Sequence, residues 1–146
     1  MLAVSLRQPV PDLLVTGVAD AFEGYARASL RGRIAVHAGL GSDDAGWMAQ
    51  LWSRAPVEAQ TAAQLAQHLA SCGHPTGAQV DGCDICARFG AVVGSVEIVE
   101  LHRSCDGCSP WVASEKPHWR VQAPEPCLPM AWRGEPHPFM VPYPDD

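Results

Sequence analysis

An eleven-residue run of β-forming side chains, bracketed by two cysteine pairs, constrains this chain more than any other feature. Residues 91–101 read Ala-Val-Val-Gly-Ser-Val-Glu-Ile-Val-Glu-Leu, the longest strand signal in the sequence. Cys83-Asp84-Ile85-Cys86 precedes the run and Cys105-Asp106-Gly107-Cys108 follows it, with eighteen residues between the pairs. Two C-x-x-C knuckles at that spacing match the four-cysteine zinc pattern, in which each pair offers two thiolates to one tetrahedral ion. A straight strand of this length spans ~33 Å at ~3.3 Å per residue. Both knuckles reach one ion only if the strand bends sharply, and Gly94 is the place for a bulge or bend.

Two local ligand sets avoid that problem. Cys72 and His74 lie in one loop, 72–88, with Cys83 and Cys86. His102, Cys105, Cys108 and His118 flank a second loop, 102–117, as two cysteines and two histidines. If a strand at 118–122 runs antiparallel to 91–101, Cys127 returns to the Cys83 end and can substitute there. A reading without metal leaves surface thiols or a local redox pair. The expected ion is a structural zinc. Nothing here resembles H-E-x-x-H or the deaminase H-x-E motif, and a metal in long loops of a small domain replaces missing core.

Elements elsewhere are modest. Residues 11–17 predict a short helix with proline in its first turn and Gly17 just past its end. Residues 33–38 alternate as a strand, 47–52 allow a helical turn or two, and 56–70 carry Ala62, Leu65, Ala66 and Leu69 at helical spacing. A short strand at 118–122 leads into a proline-rich tail, 124–146, expected as extended coil with at most one edge strand. Few strands, one good helix and much loop predict a single small α+β barrel over residues 1–146. No apolar run approaches the ~20 residues of a membrane-spanning helix. The N-terminus shows no signal-peptide pattern, so the expectation is a cytoplasmic protein whose thiols stay reduced.

Charge narrows the partners. Ten basic against sixteen acidic residues give a net −6, which argues against a coat for long nucleic acid. Residues 1–40 nevertheless carry a local +1, from Arg7, Arg27, Arg31 and Arg33 against Asp12, Asp20 and Glu23. Arginine forks bind phosphate, and an aromatic face stacks a base, so these arginines with Trp111 and Trp119 make a usable nucleotide site. The plainer alternative is solvated arginines and core tryptophans.

Several motifs in order then define a resemblance. Ser5-Leu6-Arg7-Gln8-Pro9 opens the chain, Gly17 follows a helix, and Leu30-Arg31-Gly32-Arg33-Ile34-Ala35-Val36-His37-Ala38 comes next. Gly90-Ala91-Val92-Val93-Gly94-Ser95-Val96-Glu97, Ser109-Pro110-Trp111 and His118-Trp119 complete the series. Over about residues 2–140 the chain resembles the ASCH domain, the activating-signal-cointegrator homology module of the PUA-like superfamily. The resemblance implies a five- to six-stranded β-barrel with inserted helices, whose cleft binds RNA or a modified nucleoside. The lining it implies is Arg7, Gln8, Arg27, Arg31, Trp111 and His118, with Ser5 and Pro9 shaping the first loop.

Some members of that family are amidohydrolases or ribonucleases. The family keeps a lysine, then a glutamate or threonine, after the glycine; counted without a gap from Gly17, those positions hold Ala19 and Phe22. Val10 stands where a tryptophan commonly follows the Arg-Gln-Pro motif. Binding of short single-stranded RNA or a nucleotide is therefore the first expectation. Its rivals are a hydrolase with Glu23 or Glu97 as general base and Arg7 on the anionic transition state, and a protein-interaction module using the acidic surface and proline-rich tail.

A proton-transfer group contributes typically ~10²–10⁴-fold in rate, so a chain without the lysine and threonine should show no amidohydrolase turnover. Incubation with acetylated cytidine, followed by proton NMR, should show no acetate above the buffer rate. Turnover that disappears in Glu23→Gln would place the lost chemistry at a shifted position.

Overall fold

Continuous burial places the central strand. In the computed structural model, which describes residues 1–8, 10–42, 89–103 and 116–143, the run Ile34 to Ala38 is buried without interruption. That pattern belongs to a central strand covered on both faces. This strand, β3 (Gly32–Ser42), pairs in parallel with β1 (Leu2–Gln8) and antiparallel with β4 (Ala91–His102). The remaining elements are helix α1 (Val10–Val15), β2 (Ala21–Glu23), β5 (His118–Ala131) and β6 (Phe139–Met140). Together the strands form one six-stranded mixed sheet in the order β2-β5-β4-β3-β1-β6.

Each face of the sheet has its own apolar cover. On one face Val4, Ile34, Val36, Ala38, Val93 and Val96 pack against Leu13, Leu14 and Val15 of α1 and against Phe22. On the other, Ala3, Ala35 and Val92 pack against Phe139, Val141 and Tyr143 of the returning C-terminal segment. The terminal ammonium of Met1 donates to the Val141 carbonyl at 2.8 Å, holding that segment beside β1.

The short helix forms as its residues predict. Pro11 sits in the first turn, where its missing N–H removes nothing, and Gly17 follows the end at φ +82°, a conformation that glycine tolerates best. The helices expected within 47–70 lie outside the described residues, as does most of both cysteine-bearing loops. Among the described residues no helix is long and apolar enough to cross a membrane.

The tail corrects the reading from sequence. Instead of turning to coil after 122, β5 continues through Pro124, Pro126 and Pro129 to Ala131. Beyond Arg120 it has β4 on one side but β2 no longer pairs on the other, so a proline there removes no ladder bond on the open side. Register shifts against β4 absorb the extra residues; one holds Ala123 at φ +48°.

Gly94 sits at one such shift, as its place in the strand run predicts. A Cβ there would press on the Glu125 carbonyl and lie 2.7 Å from Val15 Cγ1. Glycine lets β5 and α1 approach the same point of β4 from two sides. Gly94→Ala should therefore cost ~1–3 kcal/mol through overpacking. Urea unfolding followed by far-ultraviolet circular dichroism measures this; an unchanged midpoint would show that the contact relaxes freely.

Candidate functional site at the end of the parallel pair

Parallel pairing sets Ser5 directly beside His37, so both side chains rise from the same face. Ser5 Oγ lies 2.9 Å from His37 Nδ1, and His37 Nε2 lies 2.7 Å from the Trp132 carbonyl. A carbonyl only accepts, so Nε2 carries the ring proton and Nδ1 accepts from the Ser5 hydroxyl. The ring is 1% exposed, with Phe139 edge-on at 5.6 Å between centroids. Burial lowers the His37 pKa below its ordinary value, and the Trp132 carbonyl opposes that shift.

Bare backbone surrounds the pair. A Cβ on Gly134 would stand 2.6 Å from His37 Cε1, 2.9 Å from Nδ1 and 3.0 Å from Ser5 Oγ. A Cβ on Gly39 would lie 3.3 Å from the same hydroxyl. Both glycines let neighbouring chain close around polar atoms that a side chain would displace. Tyr25, itself at φ +56°, donates its hydroxyl to the Ser5 carbonyl at 2.8 Å and accepts from the Ser5 N–H at 3.1 Å. Burial raises the Tyr25 pKa, with the Ser5 bond opposing, and the phenol stays a donor.

Around this locked pair the surface is aromatic and cationic. Trp132's backbone N–H donates to the Gly90 carbonyl at 3.1 Å and Gly90 N–H to the Ala38 carbonyl at 2.8 Å, which puts Trp132 near the level of Ala38 on β3. Its side chain remains 40% exposed, beside exposed Arg133. Arg7, also exposed, lies two residues beyond Ser5 on β1, at the rung after Leu6 and Ala38. An arginine, a tryptophan and a second arginine thus share one end of the sheet over a pre-oriented hydroxyl. Such a patch can stack a planar ring and pair an anion.

The expected site residues divide. Ser5 and Arg7 belong to this end. Gln8 reaches it but is fully buried: its Nε2 donates to Asp12 Oδ2 at 2.7 Å, fastening β1 to α1. Arg31 is exposed near Ser29, and register places it about eight rungs from Arg7, roughly 26 Å along the strands. The two do not converge on one phosphate. Arg27 is exposed in the turn after β2, and Arg33 donates to Ser95 Oγ at 3.0 Å. His118 is buried opposite His102, beyond the start of β3 and so at the end away from Arg7. Trp119 is core, its indole N–H donating to the Tyr25 carbonyl at 3.3 Å.

The remaining candidates are quickly placed. Glu23 is half-buried on β2, and Glu97 accepts from Gln122 Nε2 at 2.9 Å. Neither lies with Arg7, since Glu97 pairs across from Arg33. Cys127 is half-buried on β5 with its sulfur 3.8 Å from the Val92 carbonyl; β5 is antiparallel to β4, so it does return toward residue 91. Pro9, Trp111, Cys72, His74, Cys83, Cys86, Cys105 and Cys108 lie outside the described residues. Sequence reasoning missed His37 and Trp132 as site residues. The available signals were a histidine inside an otherwise apolar strand and a tryptophan-arginine pair in a proline-rich tail.

No protein-family model matches the chain, and none of the curated proteins matches it either.

The buried imidazole makes stability depend on pH with a definite sign. The folded pKa lies below the unfolded value near 6.5, so the unfolded state binds more protons between the two. The contribution of His37 is complete above the unfolded value and is lost as pH falls through the folded one. Urea midpoints measured from about pH 7 to about pH 5 should fall, and His37→Gln should flatten that part of the slope. Parallel curves for the two proteins would show that His37 titrates alike folded and unfolded.

Proposed function

We propose that the chain is an ASCH-like domain of the PUA superfamily that binds a nucleotide or short single-stranded RNA at the end of the β1–β3 pair. The observation that carries this reading is Trp132, 40% exposed while its own carbonyl is held by a buried histidine. A tryptophan whose backbone is held at both N–H and carbonyl and which stays exposed is a candidate stacking platform. Arg7 and Arg133, both exposed, carry guanidinium forks of the kind that suit phosphate, and the Ser5 hydroxyl and Tyr25 hold the floor rigid.

The rest of the reading follows the family resemblance. A PUA-like barrel is the fold that this reading implies, and the hydrogen bonds of Tyr25 to Ser5 on β1 and from Trp119 on β5 are compatible with it. A structural zinc held by cysteines and histidines of the two loops belongs to the same reading. Catalysis is not part of this function, because Ala19 and Phe22 replace the family's reactive positions and both are buried.

The net −6 limits the ligand to few phosphates, so binding is weak and only mildly salt-dependent. Log affinity for a short single-stranded RNA should fall with log salt at a slope of about −1 to −3. Fluorescence anisotropy of a labelled oligonucleotide at several salt concentrations measures it. Trp132→Ala should weaken binding ~5- to 150-fold, the equivalent of one lost base stack. Arg7→Ala should reduce the slope by about 0.7. Undetectable binding at low salt, or equal affinity in both variants, would favour the protein-interaction reading.

A further inference from the structure

The residues of the proposed site come from two separate pieces of chain. Arg7 stands on β1, whereas Trp132 and Arg133 stand on residues 132–138, the irregular connection from β5 to β6. Arg133, Glu135, Pro136 and His137 are exposed along it. Two hydrogen bonds at Trp132 tie the connection to the sheet. Its backbone N–H donates to the Gly90 carbonyl at 3.1 Å, and its carbonyl accepts from His37 Nε2 at 2.7 Å. Exposed segments held by few buried contacts open at low cost. A ligand that touches Arg7 and Trp132 together binds only while this connection is closed on the sheet, so its affinity follows the closed population.

One of the two ties is titratable. The His37 ring lies buried against Gly134 and Phe139. When neutral, both its nitrogens are satisfied, Nδ1 by the Ser5 hydroxyl at 2.9 Å and Nε2–H by the Trp132 carbonyl. A second ring proton would bury a positive charge, and among the described residues no carboxylate is paired with it. On this face β1 carries Arg7 and the connection carries Arg133, both cations. The Met1 ammonium, beside Val141, is a third. Glu135 is paired with His137 at 3.2 Å where both are exposed, and Glu125 of β5 faces Arg33 at 3.9 Å. Cys127 of β5 and Tyr143 share the apolar cluster on this face, to which β4 contributes Val92. A buried charge without a counter-ion is costly, and water reaches the ring once residues 132–138 lift. Burial holds the His37 pKa below its ordinary value, with the Trp132 carbonyl opposing, as this geometry requires.

We propose that His37 is a proton-controlled latch on this site: the neutral ring holds the connection closed with Trp132 beside Arg7, and protonation releases the connection and weakens binding. This regulation rests on the nucleotide-binding reading above. Linkage gives its sign. The open state takes up a proton near the unperturbed value of about 6.5, and the closed state only below it, so a pH of about 5 favours opening by up to about 30-fold. An anion on Arg7 and Arg133 pulls the other way by favouring a charged ring. That attraction runs through exposed groups and is screened by salt.

Fluorescence anisotropy of a labelled oligouridylate tests this on the full chain. The probe lacks a terminal phosphate, whose second ionisation near pH ~6 would fall inside the range measured. At constant salt its affinity should fall about 3- to 10-fold from about pH 7.5 to about pH 5, with far-ultraviolet circular dichroism unchanged. His37→Gln should bind with one affinity across that range, and His137→Gln should keep the wild-type profile. By reciprocity, saturating probe should lower the pKa read from the His37 ring protons by NMR by about 0.5 to 1, the logarithm of the same factor. That measurement uses the wild-type chain and stands even if His37→Gln does not fold. Absence of binding at the higher pH overturns the nucleotide reading, and the latch with it. A flat wild-type profile, a profile that survives His37→Gln or follows His137→Gln, or a His37 pKa indifferent to the probe keeps the nucleotide reading and overturns the latch. Affinity lost only together with the native circular dichroism also overturns it, in favour of global unfolding.

Discussion

His37 joins three parts of the chain that are remote in sequence. One ring nitrogen accepts from Ser5, thirty-two residues away, and the other donates to the carbonyl of Trp132, ninety-five residues away. Buried neutral hydrogen bonds of this kind contribute about 0.5–1.5 kcal/mol each, and losing a partner inside the fold costs more than the bond contributes. The imidazole therefore fixes the rung at which β1 and β3 pair and the point at which the C-terminal segment crosses the sheet. A one-residue slip of β1 would turn Ser5 to the opposite face and leave Nδ1 without its donor. Gly39 and Gly134 are the steric side of the same constraint, since the ring and hydroxyl occupy the space their side chains would take.

From that anchor the rest of the architecture follows in two layers. Helix α1 covers one face, and Gln8 with Asp12 ties its start to the end of β1. The C-terminal segment covers the other face and is drawn across β1 and β3 by Phe139, Val141 and Tyr143. Because this segment must carry the Trp132 carbonyl to His37, the tryptophan side chain is delivered to the surface at the end of the parallel pair. The proposed binding surface and the lock beneath it thus share His37. At the opposite end of the sheet His102 faces His118.

Much of the framework was legible because it rests on local rules. Proline before and glycine after the 11–15 segment bound α1, and alternation in 33–38 marks β3. The β-branched run 91–101 identifies β4 almost to its last residue, and Gly94 announces the register shift within it. The proline-rich tail misled for a physical reason. Proline forbids a ladder bond only on the side where one would form, and sequence does not say which side of a strand is open. The tryptophans divided for a similar reason: Trp119 is core and Trp132 is surface, although each sits in a short polar context beside an arginine.

By itself the sequence determined the strands with strong alternation, the short capped helix, the net charge of −6, and the donor chemistry available in the cysteines and histidines. These depend on neighbours within a few residues or on totals over the chain. Tertiary structure alone decided which donors meet. It put Arg7 with Trp132 and eight rungs from Arg31, set His37 between Ser5 and Trp132, and faced His102 with His118. Register and sheet order govern those meetings, and both come from burying two faces at once, a condition that no local stretch of residues encodes.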